Sequence, residues 1–268
     1  MKLMSKENLI SALREIAAQG WHRSTKITLD NRNDGAVGNT LESLLGINEN
    51  NLPIPNANEW ELKGQRAGSI SLITLKHIEP SPTAARIVSS VLLPNYGWPH
   101  RLAGTRYPKG EMSFRSTTSA TNYTARGFTI IVDRQQNKLR FYFDPSKAKT
   151  SDNEIRLWIN SVNQRTGIGP INPEPYWGFE DLKYAIGNKI RNCFYVMAES
   201  KIEGGHEFFF YSRLFILSSF SFEKFLDCIE AGALLIDFDA RTGHNHGTKF
   251  RLKQNAWSRL YNEVNQIL

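Results

Sequence analysis

The sequence predicts an α/β protein with a mixed central sheet and helices on its sides. Three observations lead there. Apolar residues recur at helical spacing in four stretches: 6–19, 179–190, 221–230 and 255–267. Short apolar or alternating runs, rich in β-branched and aromatic residues, fall between them at 69–76, 128–133, 138–143, 192–198, 234–239 and 248–252. The two kinds of element are interleaved, with no internal repeat and no low-complexity tract.

In chain order, Leu9, Ile10, Leu13, Ile16 and Ala17 define the first helix, and Gly20 closes it. Polar residues 23–38 form a loop. Asn39 and Thr40 can cap a second helix carrying Leu41, Leu44 and Leu45. Residues 48–58, with Pro53 and Pro55, must be extended or turned. Strands are expected at 59–63 and at 69–76, the latter with Ile70, Leu72, Ile73 and Leu75. Residues 79–126 read as a long irregular region rich in Pro, Gly, Ser and Thr, and long loops in compact proteins are often functional. A hairpin then turns at Gln135-Gln136-Asn137, and 144–175 is mixed. A helix spans 179–190, and strands follow at 192–198 and 207–211. Ser221 caps a helix that runs to Glu230 and stops at Gly232. Strands at 234–239 and 248–252 and a closing helix at 255–267 complete the chain.

Composition bounds the function. The 268 residues include 33 Lys and Arg against 26 Asp and Glu, a net charge of +7. Such a balance attracts polyanions, nucleic acid above all, and equally fits a soluble basic protein. Cys193 and Cys228 are too few and too far apart for a disulfide scaffold or a zinc module, and both read as buried thiols. No signal core opens the chain and no run is long enough to span a membrane, so a cytoplasmic location is expected.

The chemistry points to residues 59–63, Glu-Trp-Glu-Leu-Lys. Side chains alternate on a strand, so Glu59, Glu61 and Lys63 share one face while Trp60 and Leu62 enter the core. Two carboxylates beside an ammonium suit phosphodiester hydrolysis. The acids can hold a hard cation such as Mg²⁺, and the Lys can orient a water or steady an anionic transition state. Taken alone, Glu-x-Lys also describes a surface strand with an ion pair along it. Upstream, Glu42 lies beside the apolar stripe of the second helix, where it is either a solvated helical Glu or a neighbour of the site.

Further along, His244 and His246 face one way if extended, with Arg241 and Arg251 near them. Two His are too few for zinc. Arg can donate two hydrogen bonds to guanine, and His can read base edges. A satisfied structural His pair is the plain alternative. Arg101, Arg106, Lys109, Arg115 and Arg126 are candidates for phosphate contacts, or simply solubilising charge.

An ordered series of segments resembles the MvaI/BcnI restriction endonuclease family. The segments are 38–46, 51–63, 71–75, Tyr176-Trp177-Gly178-Phe179, 198–203 and His244-Asn245-His246-Gly247-Thr248-Lys249-Phe250-Arg251. The resemblance implies a MutH-like core of the PD-(D/E)XK nuclease class, with a restriction-endonuclease-like fold in two lobes that form a DNA cleft. A catalytic lobe would include about 1–80 and 176–203, and a DNA-recognition lobe about 81–175 and 204–268. It implies a type II restriction endonuclease that is monomeric and uses Mg²⁺. Such an enzyme hydrolyses double-stranded DNA at a short site of the CC-N-GG kind, cutting the strands in separate events. A cognate DNA methyltransferase is then expected in the same system, without direct binding.

Position by position, the resemblance makes Glu42 the helix glutamate bordering the active site, Glu61 the metal-binding acid and Lys63 the catalytic lysine. His244, His246 and Arg251 would read bases, with Arg241 a looser inference. Lys201 would touch a phosphate or pair with Glu199. Asn56 falls where the family carries its first metal-binding aspartate, and this is a departure. Three explanations stay open: Asn56 works with Glu59 or Glu42 supplying charge, Asn56 is an inactivating substitution, or the protein binds DNA without cutting it. A MutH-like strand-nicking repair endonuclease is a further alternative. Lys76 stands where the family leads one to expect an aromatic residue.

Overall fold

The structure is a computed structural model and describes residues 5–26, 35–47, 60–167 and 169–268. The chain begins with α1 (Lys6–Ala18), β1 (Trp21–Arg23), α2 (Ala36–Leu44), β2 (Trp60–Arg66) and β3 (Ile73–His77). A π turn at Val88–Leu92 runs into α3 (Leu93–Tyr96), followed by β4 (Trp98–Pro99), β5 (Met112–Thr118), β6 (Phe128–Asp133) and β7 (Lys138–Phe143). Then come α4 (Asn153–Thr166), β8 (Tyr176–Gly178), α5 (Phe179–Ile190), β9 (Asn192–Glu203), β10 (His206–Phe220) and α6 (Phe222–Glu230). The chain closes with β11 (Leu234–Arg241), β12 (His244–Asn245), β13 (Lys249–Leu252), a 3-10 segment at Gln254–Leu260 and β14 (Tyr261–Gln266). No helix among the described residues is long and apolar enough to cross a membrane.

Chain contacts divide the protein into two compact units. The first comprises Met1–Ser71, Ile186–Lys224 and Trp257–Leu268. Its sheet runs β1-β10-β9-β2, with β14 on β10. β2 pairs parallel to β9 and the other pairs are antiparallel, so this is the expected mixed sheet. The apolar stripes of α1 (Leu9, Leu13, Ile16) and α2 (Val37, Leu41) pack with Trp60, Leu62, Phe194, Val196, Phe209 and Tyr211 into one core. Gly64 lets α2 come close, since a Cβ there would sit 3.0 Å from Gly38 Cα. The Tyr211 hydroxyl donates to the Val37 carbonyl at 2.9 Å and ties the helix to the sheet.

The second unit comprises Leu72–Ala185 and Phe225–Ala256. One sheet runs β3-β13-β11-β5-β4, with β12 on β11, and is antiparallel throughout. A second runs β6-β7-β8. Aromatic rings fill the interior: Phe128 stacks on Phe141 at 5.2 Å, and Phe114 meets Phe238 edge-on at 5.6 Å.

Several boundaries differ from expectation. The helix assigned to begin at Asn39-Thr40 starts at Ala36. Thr40 is buried, and its hydroxyl accepts from the Thr25 amide at 3.1 Å, so its preference serves a tertiary contact rather than a cap. The strand expected at 69–76 spans only Ile73–His77. Gly68 at φ +71° turns the chain, Ser69 Oγ accepts from the Ser71 amide, and Ile70 is 98% exposed. The region 79–126 holds α3, β4 and β5 rather than a continuous loop. The mixed stretch 144–175 contains α4, capped by Asp152, which accepts from the Glu154 amide at 2.8 Å. The closing helix expected at 255–267 is a 3-10 segment and then β14, because Tyr261–Gln266 pairs along β10.

The unit boundaries also differ from the expected lobes. β10 and the C-terminal segment belong with β9, since β10 pairs with β9 from His206 to Leu217. Residues 176–185 group with β7, where β8 pairs.

Candidate active site

On β2 the alternation holds. Trp60 and Leu62 lie in the core shared with α1 and α2, and Glu61 and Lys63 take the other face. Glu61 is 1% exposed. Its Oε1 lies 2.7 Å from Lys63 Nζ and 3.7 Å from Lys189 Nζ. Its Oε2 is buried without a hydrogen-bond partner. The strand neighbour across the parallel pair is Cys193. Burial, and then the negative charge of Glu61, push the Cys193 thiol well above its ordinary range. Tyr261 is raised in the same way by burial, with Cys193 and Glu61 adding to the effect. Neutral S–H and O–H groups therefore wall the carboxylate in, and the positive charge comes from two lysines.

A buried carboxylate oxygen without a donor is costly. Here the cost falls on a hard oxygen donor of the kind that Mg²⁺ takes, so Glu61 could serve as one ligand of a divalent cation. Among the described residues no group of three or more His, Cys, Asp or Glu is arranged so that it could hold a metal ion. The second expected ligand, Asn56, and Glu59 lie outside the described residues.

Glu42 sits on α2, which packs against the Trp60 and Leu62 face of β2. It lines a polar pocket of about 300 Å³ with Thr25, Lys26, Asn39, Ser43, Gly46 and Ile47. Lys201, on β9, pairs with Glu203 at 2.7 Å rather than with Glu199, and its Nζ lies 4.9 Å from the centre of the Trp21 ring. Lys189 was missed by sequence reasoning. It is the penultimate residue of α5, three residues before β9 begins, and only the parallel β2–β9 pairing brings it to Glu61.

In the second unit the other expected residues gather on one face of the β3-β13-β11-β5 sheet. Gly243 at φ +69° turns β11 back into β12, leaving His244 and His246 exposed. The imidazoles touch each other, with Nε2 of His244 and Nδ1 of His246 3.3 Å apart. Arg251 donates to Asp237 Oδ2 and to the Leu72 carbonyl. Arg241 donates to Glu111 at 3.1 Å and covers the Tyr107 ring.

Two aspartates anchor this face and were not singled out from the sequence. Asp239 lies 2.9 Å from Arg115 Nε and 3.2 Å from Lys249 Nζ. Asp237 takes Arg251 and the Thr117 hydroxyl. Burial acts to raise the Asp239 carboxyl, but the Lys249 hydrogen bond and the charges of Arg115, Lys249 and His246 hold it below its ordinary value. The signal was available: Leu-Leu-Ile-Asp-Phe-Asp-Ala-Arg alternates buried and half-buried, which puts Asp237, Asp239 and Arg241 on one side. Lys76 lies opposite Phe250 at a register irregularity between β13 and β3, and nothing in the structure explains it.

The model of the MvaI/BcnI restriction endonuclease family matches residues 10–261. No match was found among curated proteins. Among solved structures, the chain is similar to restriction endonuclease MvaI in complex with its cognate DNA substrate. That match has a TM-score of 0.74 at 22% identity, over 99% of this chain and 100% of that one. It is also similar to MvaI in the absence of DNA, with a TM-score of 0.56 at 24% identity over the whole of both chains. At these identities the two likenesses establish a common fold.

Proposed function

The chain belongs to the MvaI/BcnI restriction endonuclease family, and on that premise we propose that it is a type II enzyme that hydrolyses double-stranded DNA at a short specific site, with Mg²⁺ as cofactor. The observation that carries the reading is Glu61: buried, one oxygen shared by two ammonium groups, the other without a partner.

In this reading Glu61 and Asn56 hold the cation. A Mg²⁺ bound there offsets charge building on the phosphate and lowers the pKa of a water. Lys63 positions the attacking water and donates to the phosphate oxygens as negative charge accumulates. Glu42 stands on α2, behind the Trp60 and Leu62 face of β2, and would border the site from that side. The second unit reads bases in the major groove through His244, His246 and Arg251, with Arg241 beside them, on a site of the CC-N-GG kind. Lys201, held by Glu203, reaches a phosphate only by exchanging that partner. The enzyme acts as a cytoplasmic monomer, cutting the strands one at a time, and shares its system with a DNA methyltransferase that it does not bind.

One specific feature favours a second reading. Asn56 is neutral where the family has an aspartate, which weakens the hold on the cation and favours a DNA-binding protein with an impaired nuclease core. Incubation with supercoiled plasmid and Mg²⁺ separates the readings. Discrete linear fragments are the expected result. Persistent nicks would point instead to a MutH-like strand-nicking enzyme, and retarded, intact plasmid to pure binding. Asn56→Asp should raise the cleavage rate. A variant that cuts no faster at saturating Mg²⁺ removes Asn56 as a ligand.

A further inference from the structure

Lys189 approaches the reaction centre by a different chain route from Lys63. It stands in the last turn of α5, where the partial negative charge of the helix end favours a cation. Its side chain is 19% exposed, and its Nζ lies 3.7 Å from the same Glu61 oxygen that Lys63 holds at 2.7 Å. At 3.7 Å it contributes charge to Glu61 without a hydrogen bond of normal length. Among the described residues, two ammonium groups meet at one carboxylate here, and a phosphodiester carries the single negative charge that either of them could take. A cation taken up by the other oxygen of Glu61 would weaken the carboxylate's hold on the more distant lysine.

We propose that Lys189 is a second phosphate-binding cation of the reaction centre, which contacts the backbone of the bound duplex at or beside the bond that is cut. Lys63 keeps its place on Glu61, and Lys189 turns from the carboxylate towards the phosphate. The proposal rests on the nuclease reading of Glu61, but its main test does not require cleavage.

The test compares Lys189→Met and Lys189→Arg with the parent. Binding of a labelled duplex is measured by fluorescence anisotropy over a range of salt, with a fixed concentration of Ca²⁺ in place of Mg²⁺ so that the cation is present and cleavage is suppressed. Each neutralised phosphate contributes about 0.9 to the slope of log affinity against log salt. Lys189→Met should melt like the parent, and its slope should fall by about one contact. With Mg²⁺, its single-turnover cleavage of a duplex the parent cuts should slow on the order of 10²-fold. Lys189→Arg should restore the slope. An unchanged slope in Lys189→Met overturns the proposal whatever the cleavage rate, since Lys189 would then act only through Glu61. An Arg variant that fails to restore the slope overturns it as well, because the charge would not be what matters. A parent that binds DNA without cutting, with the slope still lost in Lys189→Met, removes the nuclease reading and leaves the phosphate contact standing. A parent that binds no duplex removes both.

Discussion

The centre around Glu61 and the sheet face around Asp237 and Asp239 distribute charge in opposite ways. At the first, a single buried carboxylate has one oxygen between two ammonium groups and the other without a partner. At the second, half-exposed cations are matched strand by strand: Arg115 and Lys249 to Asp239, Arg251 to Asp237, Arg241 to Glu111. A group left short of partners inside a protein awaits something from outside it. Asp239 Oδ1 and Arg251 Nε also lack hydrogen bonds, but their side chains lie in ion pairs nearer the surface, and such pairs can exchange partners at little net cost because they contribute only about 0–1 kcal/mol. The first arrangement suits a ligand that must be present for chemistry. The second suits a surface that has to discriminate: its cations are already oriented, and a wrong duplex must replace bonds that exist.

The largest expected effect breaks the first region. Glu61→Gln keeps the shape and removes the charge. Cleavage should fall by roughly 10³-fold or more, while metal-free duplex binding stays within a few-fold. Single-turnover assays beside anisotropy would show it, and a variant cutting within tenfold of the parent would refute the role given to this carboxylate.

The next prediction sharpens the contrast in burial. Arg66 and Glu207 form a two-pronged pair at 2.7 Å and are both buried. Glu207→Gln should cost about 3–5 kcal/mol in denaturant melts, as breaking one side of a buried pair does. Asp237→Asn should cost no more than about 1 kcal/mol. Equal losses would mean that depth does not separate the two regions.

Smaller again, Arg251→Ala should relax discrimination between cognate and altered duplexes by about 1–3 kcal/mol, read by competition binding. If it weakens all sequences equally, Arg251 is a phosphate contact and not a reader.

The smallest effect concerns acid. The Asp239 carboxyl is held below its ordinary value of 3.8, so it stabilises the fold above that pH, and this contribution is lost as pH falls through the lowered value. Thermal melts below pH 5 should therefore show a shallower acid loss in Asp239→Asn than in the parent.

The sequence disclosed the two regions unequally. Glu61 and Lys63 were legible because a two-residue period needs only a strand, and β2 is one. His244, His246 and Arg251 were legible as a segment, although their partners were not. Lys189 was hidden because its place depends on two strands, far apart in the chain, lying parallel. The closing helix failed for a related reason: residues 261–266 take their conformation from the edge of β10, and local spacing carries no trace of that edge. Thr40 misled in the opposite direction, since a residue with good capping chemistry was used in the interior.

The pairing of Glu61 with Cys193 and of Lys63 with Tyr195 also bears on how this strand can change length over time. Inserting one residue between Trp60 and Glu61 would send the acid into the oily side and bring a leucine out in its place. Two residues would restore the side but displace the acid by roughly 7 Å along the strand. Indels in this stretch should therefore be purged, and a library that excludes them from β2 should retain far more active clones than one that spreads them across it.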